Sequence, residues 1–324
     1  MTSVSSLLRR IALFLFVVSI AVASAGCDSD SAPDTPESPF IKASDWVANV
    51  DWDTRTTVEV TMVESGDALS FSPNELTFEA GKPYVLKIVN PLENRSKHYF
   101  SPDLAKDFFR AIATRKVQTD NAEYKAPYFK AVELLIGGEL EIYFVPVLGG
   151  TYDFLCTITG HADAGMVGKI TITGGEGYEL DLEVDQDFDT NLTTDARTSG
   201  SDPVWSDAQE VTIQMLEHEN GTLGYEPPVL HLAKDAGYTL TLDNAASNKS
   251  KHYYTAAEFY KTVVIRKAED ARAEIKVPYL NAVELLIGGR TELFVVPTEV
   301  GTFEVTCTIP GHHEAGMHGR IEVQ

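Results

Sequence analysis

Apolar and polar residues alternate with a period of two through most of the chain. Residues 57–63 and 151–155 show this alternation in the first half, and residues 211–216 and 302–306 show it in the second. Gly, Pro and Asn separate such stretches from their neighbours. The pattern is typical of short strands with one buried face. Seven or eight short strands within roughly 120 residues indicate an all-β fold, with a Greek-key sandwich or barrel in each half.

One short helix is expected to interrupt each half. The sequence Ser-Pro-Asp at residues 101–103 matches an N-cap followed by Pro at the first helical position, and Thr255 to Glu258 match a capping box. Each helix and its trailing loop then form an insertion. Two interpretations are open: the insertion covers one flank of the candidate site described below, or it is a plain surface excursion.

An internal repeat divides the chain. The eight residues 131–138 recur letter for letter as residues 282–289. A chain of 324 residues typically forms about two domains. Each half is large enough to bury its own core without disulfides. We therefore expect two tandem domains, residues 55–173 and 209–324.

Two polar stretches precede and separate these domains. Residues 28–54 are rich in Ser, Pro, Asp and Glu, which predicts a flexible acidic tether. Residues 174–208 hold ten acidic residues against the single Arg197, which predicts an extended acidic linker. Relative motion of the two domains is the default expectation for such a linker.

The two halves carry the same candidate metal ligands. Residues 156–166 and 307–317 each contain a Cys, four residues, a His, four further residues and a Met. Another His lies upstream in each half, between a Lys and a Tyr. Two imidazoles, one thiolate and a weak thioether suit copper that moves between Cu(I) and Cu(II). We predict two copper ions, one per domain, held by His98, Cys156, His161, Met166, His252, Cys307, His312 and Met317.

With these residues, both halves resemble the cupredoxins, the family of small blue copper proteins. The spacing of the ligands is most similar to rusticyanin-type members, and Pro310-Gly311-His312 is similar to the loop of plastocyanin- and azurin-type members. The resemblance implies two tandem cupredoxin-like Greek-key sandwiches or barrels with type-1 copper centres. It also implies that His161 and His312 are electron ports. Many members follow the first His with Asn or Ser, whereas this chain has Tyr99 and Tyr253.

The resemblance favours a membrane-tethered electron-transfer protein, not an enzyme, that shuttles single electrons between respiratory redox partners such as cytochromes or oxidases. A copper chaperone or buffering protein is one alternative. A copper oxidoreductase such as a nitrite reductase-like enzyme is another, and such enzymes need further His clusters, whereas the sequence contains no His-x-His pair. Four histidines have no predicted role: His218, His231, His313 and His318.

Residues 1–27 have the pattern of an export signal. Arg9 and Arg10 give a positive start, residues 11–23 are apolar, and small residues precede Cys27. Similarity to a bacterial lipobox implies cleavage before Cys27 and lipidation of its sulfur. The alternative is an uncleaved membrane anchor, although the apolar run is shorter than the ~20 residues of a spanning helix. Both interpretations place the copper domains in the bacterial cell envelope, in the periplasm or on the outer side of the cytoplasmic membrane.

The formal net charge of −22 excludes nucleic acid as a natural partner, because phosphate neutralisation requires a basic surface. Two interpretations of the charge remain open. It could steer an electron carrier towards a basic redox partner, or it could be an adaptation to high salt.

Overall fold

The computed structural model describes residues 40–103, 106–183 and 203–324. Short elements precede and join the two repeats: β1 (Phe40–Lys42), α1 (Ala43–Asn49), a 3₁₀ turn (Trp52–Thr54), β13 (Glu179–Asp181) and α2 (Pro203–Ser206). The first repeat consists of β2 (Thr56–Ser65), β3 (Ala68–Ser72), β4 (Glu75–Glu79), β5 (Tyr84–Val89), β6 (His98–Pro102), a 3₁₀ turn (Phe108–Arg110), β7 (Ile112–Gln118), β8 (Ala122–Lys125), β9 (Ala131–Leu134), β10 (Glu139–Pro146), β11 (Gly150–Leu155) and β12 (Val167–Thr173).

The second repeat has the same order of elements. It consists of β14 (Gln209–Glu217), β15 (Leu223–Glu226), β16 (Val229–Leu232), β17 (Tyr238–Asn244), β18 (His252–Thr255), α3 (Ala257–Tyr260), β19 (Val263–Glu269), β20 (Ala273–Lys276), β21 (Ala282–Leu285), β22 (Arg290–Pro297), β23 (Gly301–Thr306) and β24 (His318–Val323).

Each repeat folds into two sheets that enclose apolar side chains. In the first repeat the strand orders are β3-β2-β5-β10-β7-β8 and β4-β12-β11-β6-β9. In the second they are β15-β14-β17-β22-β19-β20 and β16-β24-β23-β18-β21. Alternation along each strand gives a sheet its apolar inner face. Strand β4, for example, buries Leu76 and Phe78 and exposes the residues between and beside them. The expected all-β fold with two tandem sandwiches is confirmed.

The two repeats share their sheets along a seam. Strand β8 of the first repeat pairs with β21 of the second, and β9 pairs with β20. Because β8 and β9 correspond to β20 and β21, these two pairings are equivalent to each other. They join the strands into two eleven-stranded sheets, and buried residues of both repeats belong to one apolar cluster. The default expectation of relative domain motion is therefore wrong, because the repeats form one compact unit.

The segment that the two repeats share letter for letter lies at this seam. The N–H of Leu135 donates to the carbonyl of Arg272 over 2.9 Å, and a Cβ on Gly138 would lie 2.4 Å from that oxygen. On the other side, a Cβ on Gly289 would lie 2.1 Å from the carbonyl oxygen of Asn121. Glycine is therefore required at both positions, since the backbone of the other repeat occupies the space of a side chain.

Residues 40–54 are not part of a flexible tether. Strand β1 pairs in parallel with β13, and Ala43 on α1 is buried. The ring of Trp46 meets that of Tyr178 edge-on, with 5.7 Å between centroids. The indole N–H of Trp52 donates to the carbonyl of Val47 over 2.9 Å. The polar composition of the predicted tether, residues 28–54, conceals these apolar contacts, and the correction applies to its last fifteen residues.

The predicted linker, residues 174–208, is likewise corrected in part, because β13 and α2 lie within it. Residues 1–39, with the predicted export signal and Cys27, lie outside the described residues, as do residues 184–202. None of the helices in the described ranges is long and apolar enough to cross a membrane.

The expected short helical insertions are present, but they start later than predicted. Residues 101–102 lie in β6, and the 3₁₀ turn of the first repeat is capped by Asp107, whose carboxylate accepts the N–H of Phe109 over 2.9 Å. In the second repeat the N-cap is Ala256, and the predicted cap Thr255 ends β18 instead. The interpretation of the insertion as a plain surface excursion is wrong, because its aromatic residues belong to the core, whereas its cover of one flank of the candidate site stays a prediction. Four of them are fully buried: Phe108, Phe109, Phe259 and Tyr260.

Candidate metal centres

Neighbouring strands position the predicted ligands of each repeat. His98 begins β6, Cys156 directly follows β11, and Met166 directly precedes β12. Strand β11 pairs with both β6 and β12, so the sheet fixes these three positions. His161 lies on the loop between β11 and β12. The second repeat places its ligands in the same way around β18, β23 and β24: His252, Cys307, His312 and Met317.

Three of the four side chains converge in each repeat. In the first, Nδ1 of His161 lies 3.2 Å from Nδ1 of His98 and 3.4 Å from Sγ of Cys156. The corresponding distances in the second repeat are again 3.2 and 3.4 Å. In each group all three ligand atoms lie within 4.8 Å of one another. One ion can therefore contact two imidazole nitrogens and a sulfur.

The fourth predicted ligand is tied to the other three through the backbone. Met166 is completely buried, its N–H donates to the carbonyl of His161 over 3.0 Å, and its own carbonyl accepts the N–H of Cys156 over 3.0 Å. Met317 is also completely buried and makes the corresponding two bonds in the second repeat. The role of the two thioethers as ligands stays a prediction.

A carboxylate orients the first imidazole of each centre. Oε1 of Glu64 lies 3.0 Å from Nε2 of His98, and Oε1 of Glu217 lies 3.0 Å from Nε2 of His252. This contact makes Nε2 the nitrogen that carries the proton and leaves the lone pair of Nδ1 directed at the other ligands. Burial lowers the pKa of His98, although Glu64 opposes the shift. The neutral imidazole, which is the form that binds metals, is therefore favoured.

A backbone N–H holds each thiol. Tyr99 donates to Sγ of Cys156 over 3.3 Å, and Tyr253 donates to Sγ of Cys307 over 3.3 Å. Burial raises the pKa of both thiols, and these N–H bonds act in the opposite direction. A bound cation is what would make the thiolate the stable form. Because the donor is the backbone, Tyr in place of the Asn or Ser of many cupredoxins leaves this bond intact.

The loop with the second imidazole docks against the first hairpin of its own repeat. The N–H of Leu69 donates to the carbonyl of Ala164 over 3.1 Å. Gly165 has a φ of +107°, and a Cβ there would lie 2.9 Å from the carbonyl oxygen of Leu69. Gly316, with a φ of +106°, has the same relation to Leu223, again at 2.9 Å. Both glycines therefore allow a close approach that fixes the loop.

The donor set fits copper. Soft sulfur favours Cu(I), imidazole nitrogen accepts both oxidation states, and both kinds of donor converge in each repeat. The chemistry of these donors therefore supports copper binding at both centres.

The sequence pattern does not single out the two orienting carboxylates. Glu64 lies near the end of β2 and Glu217 at the end of β14, so they have matching places in the two repeats. An acidic residue follows the apolar run of the first strand in both copies. A comparison of the two strand ends would have found them.

The histidines without a predicted role do not join either centre. His313 and His318 lie together, with ring centroids 4.9 Å apart, and Nδ1 of His313 lies 2.8 Å from Oγ1 of Thr306. His218 lies in the turn after β14, and His231 lies on β16. Within the described ranges, the two converging sets above are the only groups of three or more His, Cys, Asp or Glu side chains with metal-ligand spacing.

No family model matches the chain, and no curated protein matches it. Among solved structures, it is similar to a copper nitrite reductase from Nitrosomonas europaea, with 13% identity over 84% of this chain and 94% of the other, and a TM-score of 0.30. A multicopper oxidase from Campylobacter jejuni matches with 10% identity over 83% of this chain and 64% of the other, and a TM-score of 0.31. Auracyanin from Roseiflexus castenholzii matches with 25% identity over 37% of this chain and 98% of the other, and a TM-score of 0.26.

Enzymes are thus among the similar structures. This finding corrects the expectation that the chain is not an enzyme. Similarity at this level transfers no catalytic residue to the chain.

Proposed function

We propose that the chain is a copper redox protein with two type-1 centres, each of which takes up and releases one electron. One observation supports this proposal: in both repeats two imidazoles and a buried thiol converge with the same separations. Copper bound there supplies a one-electron couple between Cu(II) and Cu(I).

The residues of the chain hold the donors in place. His98 is fixed by Glu64 and by the pairing of β6, and Cys156 is fixed by two backbone hydrogen bonds. A donor set held in this way changes little when the charge of the site changes, which favours fast electron exchange. His161 is partly exposed, whereas His98 and Cys156 are buried, so this imidazole is the route for electrons in our proposal.

The optical spectrum and the copper content of the loaded protein test the proposal. Two type-1 centres predict two coppers per chain and strong absorption at about 600 nm. Cys156→Ala should remove one copper and about half of the colour, and Cys307→Ala should do the same for the other centre. A colourless loaded protein, or loss of both coppers in one single variant, would contradict two independent type-1 centres.

Oxidoreductase activity is the first version of this function to test, because a copper nitrite reductase and multicopper oxidases are among the similar structures. Nitrite reduction and phenol oxidation by the copper-loaded protein are the measurements, with Cys156→Ala and Cys307→Ala as controls. Turnover that depends on these cysteines would support this version.

Electron transfer to a protein partner is the second version, supported by the partly exposed His161 and His312. Rapid mixing of the reduced protein with an oxidised cytochrome would measure it. A copper chaperone has less support, because its sites must release the ion, whereas both thiols are buried.

The site of action is also a proposal. The pattern of residues 1–27 supports export and lipidation at Cys27, and the net charge of −22 supports a basic redox partner. Cys27→Ser should move the protein from the membrane fraction to the soluble fraction and leave its colour unchanged. Retention of this variant in washed membranes would point to an uncleaved anchor instead.

A further inference from the structure

The two orienting carboxylates have different surroundings. Glu64 and Glu217 each accept the Nε2 proton of the first imidazole of their centre at the same distance, 3.0 Å. The side chains are 4% and 13% exposed, respectively. The centres therefore have equivalent carboxylates, but these carboxylates differ in what else they contact.

In the first repeat a guanidinium neutralises the carboxylate. Nε of Arg95 lies 3.1 Å from Oε2 of Glu64, and the backbone N–H of Arg95 donates to the same oxygen over 3.0 Å. Nη2 of Arg95 donates to the carbonyl of Gly66 over 2.6 Å, which holds the guanidinium against the carboxylate. The pair Glu64 and Arg95 therefore has no net charge.

In the second repeat, no Lys or Arg side chain among the described residues forms an ion pair with the equivalent carboxylate of Glu217. The residue in the place of Arg95 is Lys249, and its backbone N–H donates to Oε2 of Glu217 over 3.0 Å. Ser250 adds a backbone N–H at 2.9 Å to Oε1. Among the described residues, no carboxylate lies within ion-pair distance of the Lys249 ammonium, which is exposed. Glu217 therefore keeps its full negative charge beside His252.

The lysines next to the first ligands do not remove this difference. Nζ of Lys97 lies 2.5 Å from Glu133, and Nζ of Lys251 lies 2.5 Å from Glu284. These two pairs are equivalent in the repeats, so their charges act alike on the two centres. Arg95 is the cation that distinguishes the first centre from the second.

A negative charge that accepts the outer proton of a ligand imidazole makes that imidazole more basic and stabilises the more positive metal ion. Resting on the proposed function, we infer that the second centre has the lower reduction potential, because Arg95 neutralises Glu64 and Lys249 leaves Glu217 charged. When one electron is shared, the second centre is oxidised and the first is reduced. The chain therefore has a built-in direction, from the second repeat to the first.

Redox titration of the full chain, followed at about 600 nm, tests this inference. Cys307→Ala reports the first centre and Cys156→Ala reports the second, which assigns the two midpoints. The measurements on all variants are made at one pH, about 8, which lies above the ordinary pKa of an imidazole. The equilibrium constant for electron transfer from the second centre to the first should be at least about 3. At about 59 mV per tenfold change, the first midpoint potential then lies at least about 28 mV above the second.

Exchange of the two cations isolates the cause. Arg95→Lys should lower the first midpoint and leave the second unchanged, whereas Lys249→Arg should raise only the second. Arg55→Lys is the matched control, because Arg55 is exposed and donates to the carbonyl of Trp52 instead of a carboxylate. It should move neither midpoint.

The inference would be overturned if the two coloured centres had equal or inverted midpoints. It would also be overturned if Arg95→Lys and Lys249→Arg left both midpoints unchanged. Either result would leave the proposed function standing. Loss of colour or of copper in the unsubstituted chain would overturn the proposed function itself, and the inference with it.

Discussion

Glu123 on β8 and Glu284 on β21 lie directly opposite each other across the seam between the two repeats. Their side chains are only 11% and 1% exposed. Nζ of Lys116 lies 2.5 Å from Glu123, and Nζ of Lys251 lies 2.5 Å from Glu284. Because like charges opposite each other destabilise a sheet, these lysines are what allow the seam to form.

Loss of the lysine partner should therefore weaken the whole fold. Lys251→Met leaves the buried carboxylate of Glu284 without its cation, and we expect the free energy of unfolding to fall by about 2 kcal/mol. Adding Glu284→Gln should recover part of this loss. Urea unfolding measures both effects. The control is Lys82→Met, which removes an exposed pair with Glu79, and an equal cost for the two Met variants would contradict a structural role of the seam pair.

A methyl group at the seam should have a comparable effect for a steric reason. Gly289→Ala places a Cβ 2.1 Å from the carbonyl oxygen of Asn121, and the backbone of one repeat must move away from the other. We expect a loss of about 2 kcal/mol in the free energy of unfolding. Gly224→Ala is the matched control, since nothing lies within 4 Å of a Cβ at that strand position. Unfolding of both variants at the same urea concentration would contradict a role in stability for the close contact between Gly289 and Asn121.

The segment before the first repeat should contribute to stability. A chain without residues 1–54 loses the buried Ala43 and the contact of Trp46 with Tyr178. We expect its Tm to lie about 5 °C below that of a chain without residues 1–39. Thermal unfolding followed by circular dichroism compares the two. Equal Tm values would restore the interpretation of residues 40–54 as a tether.

The strands and the ligand set could be predicted from the sequence because both are local patterns. Alternation within a strand reports its buried face, and the spacing from Cys156 to Met166 is contained in one loop. The agreement of two copies made the ligand set more specific than one copy would be. The convergence of His98 with this loop followed from the resemblance, since these residues are far apart in the chain.

The seam could not be predicted, because a pairing such as that of β8 with β21 joins strands far apart in the sequence. Its only sequence signal was the segment repeated letter for letter, which contains Glu133 and Glu284. Composition was misleading for residues 40–54, since the few apolar side chains there decide the structure. The capping pattern at Thr255 predicted the wrong start for the helix, because β18 continues through this residue. Phe259 and Tyr260 are then buried in the core.

The unfolding free energy of the copper-free protein should depend on Glu64 at low pH. Burial raises the pKa of this carboxyl, but hydrogen bonds from Arg95, Ser96 and His98 outweigh burial and lower the pKa from 4.5 to about 2. As the pH falls, the Glu64 carboxylate therefore binds a proton at a higher pH in the unfolded chain than in the folded chain. The stabilisation is fully present above pH 4.5 and is lost as the pH falls towards 2.

Glu64→Gln should remove this contribution, so that its unfolding free energy falls less steeply between these pH values than that of the unsubstituted chain. Urea unfolding at a series of pH values measures the two slopes. Glu75→Gln, at an exposed position of β4, is the control. Parallel curves for Glu64→Gln and the unsubstituted chain would argue against the hydrogen-bond network around Glu64.

The loop glycines offer a test of how the protein fixes the second imidazole. Gly165 and Gly160 both have positive φ, +107° and +86°, so alanine is strained at either position. Only at Gly165 would a Cβ also meet the chain, 2.9 Å from the carbonyl oxygen of Leu69, whereas nothing lies within 4 Å at Gly160. Gly165→Ala should therefore push the loop with His161 away from β3 and weaken copper binding at the first centre on the order of tenfold.

Competition with a copper chelator, followed through the colour of the protein, measures this loss. Gly165→Ala should give a biphasic release in which half of the colour disappears at lower chelator concentration, because the second centre keeps its own loop. Gly316→Ala should weaken the second centre by the same mechanism, since a Cβ there would lie 2.9 Å from the carbonyl oxygen of Leu223. Gly160→Ala introduces the backbone strain without the steric clash. It should therefore release copper at a chelator concentration close to that for the unsubstituted chain. Equal losses at Gly165 and Gly160 would mean that backbone strain alone, and not the contact with the neighbouring hairpin, fixes the position of the imidazole.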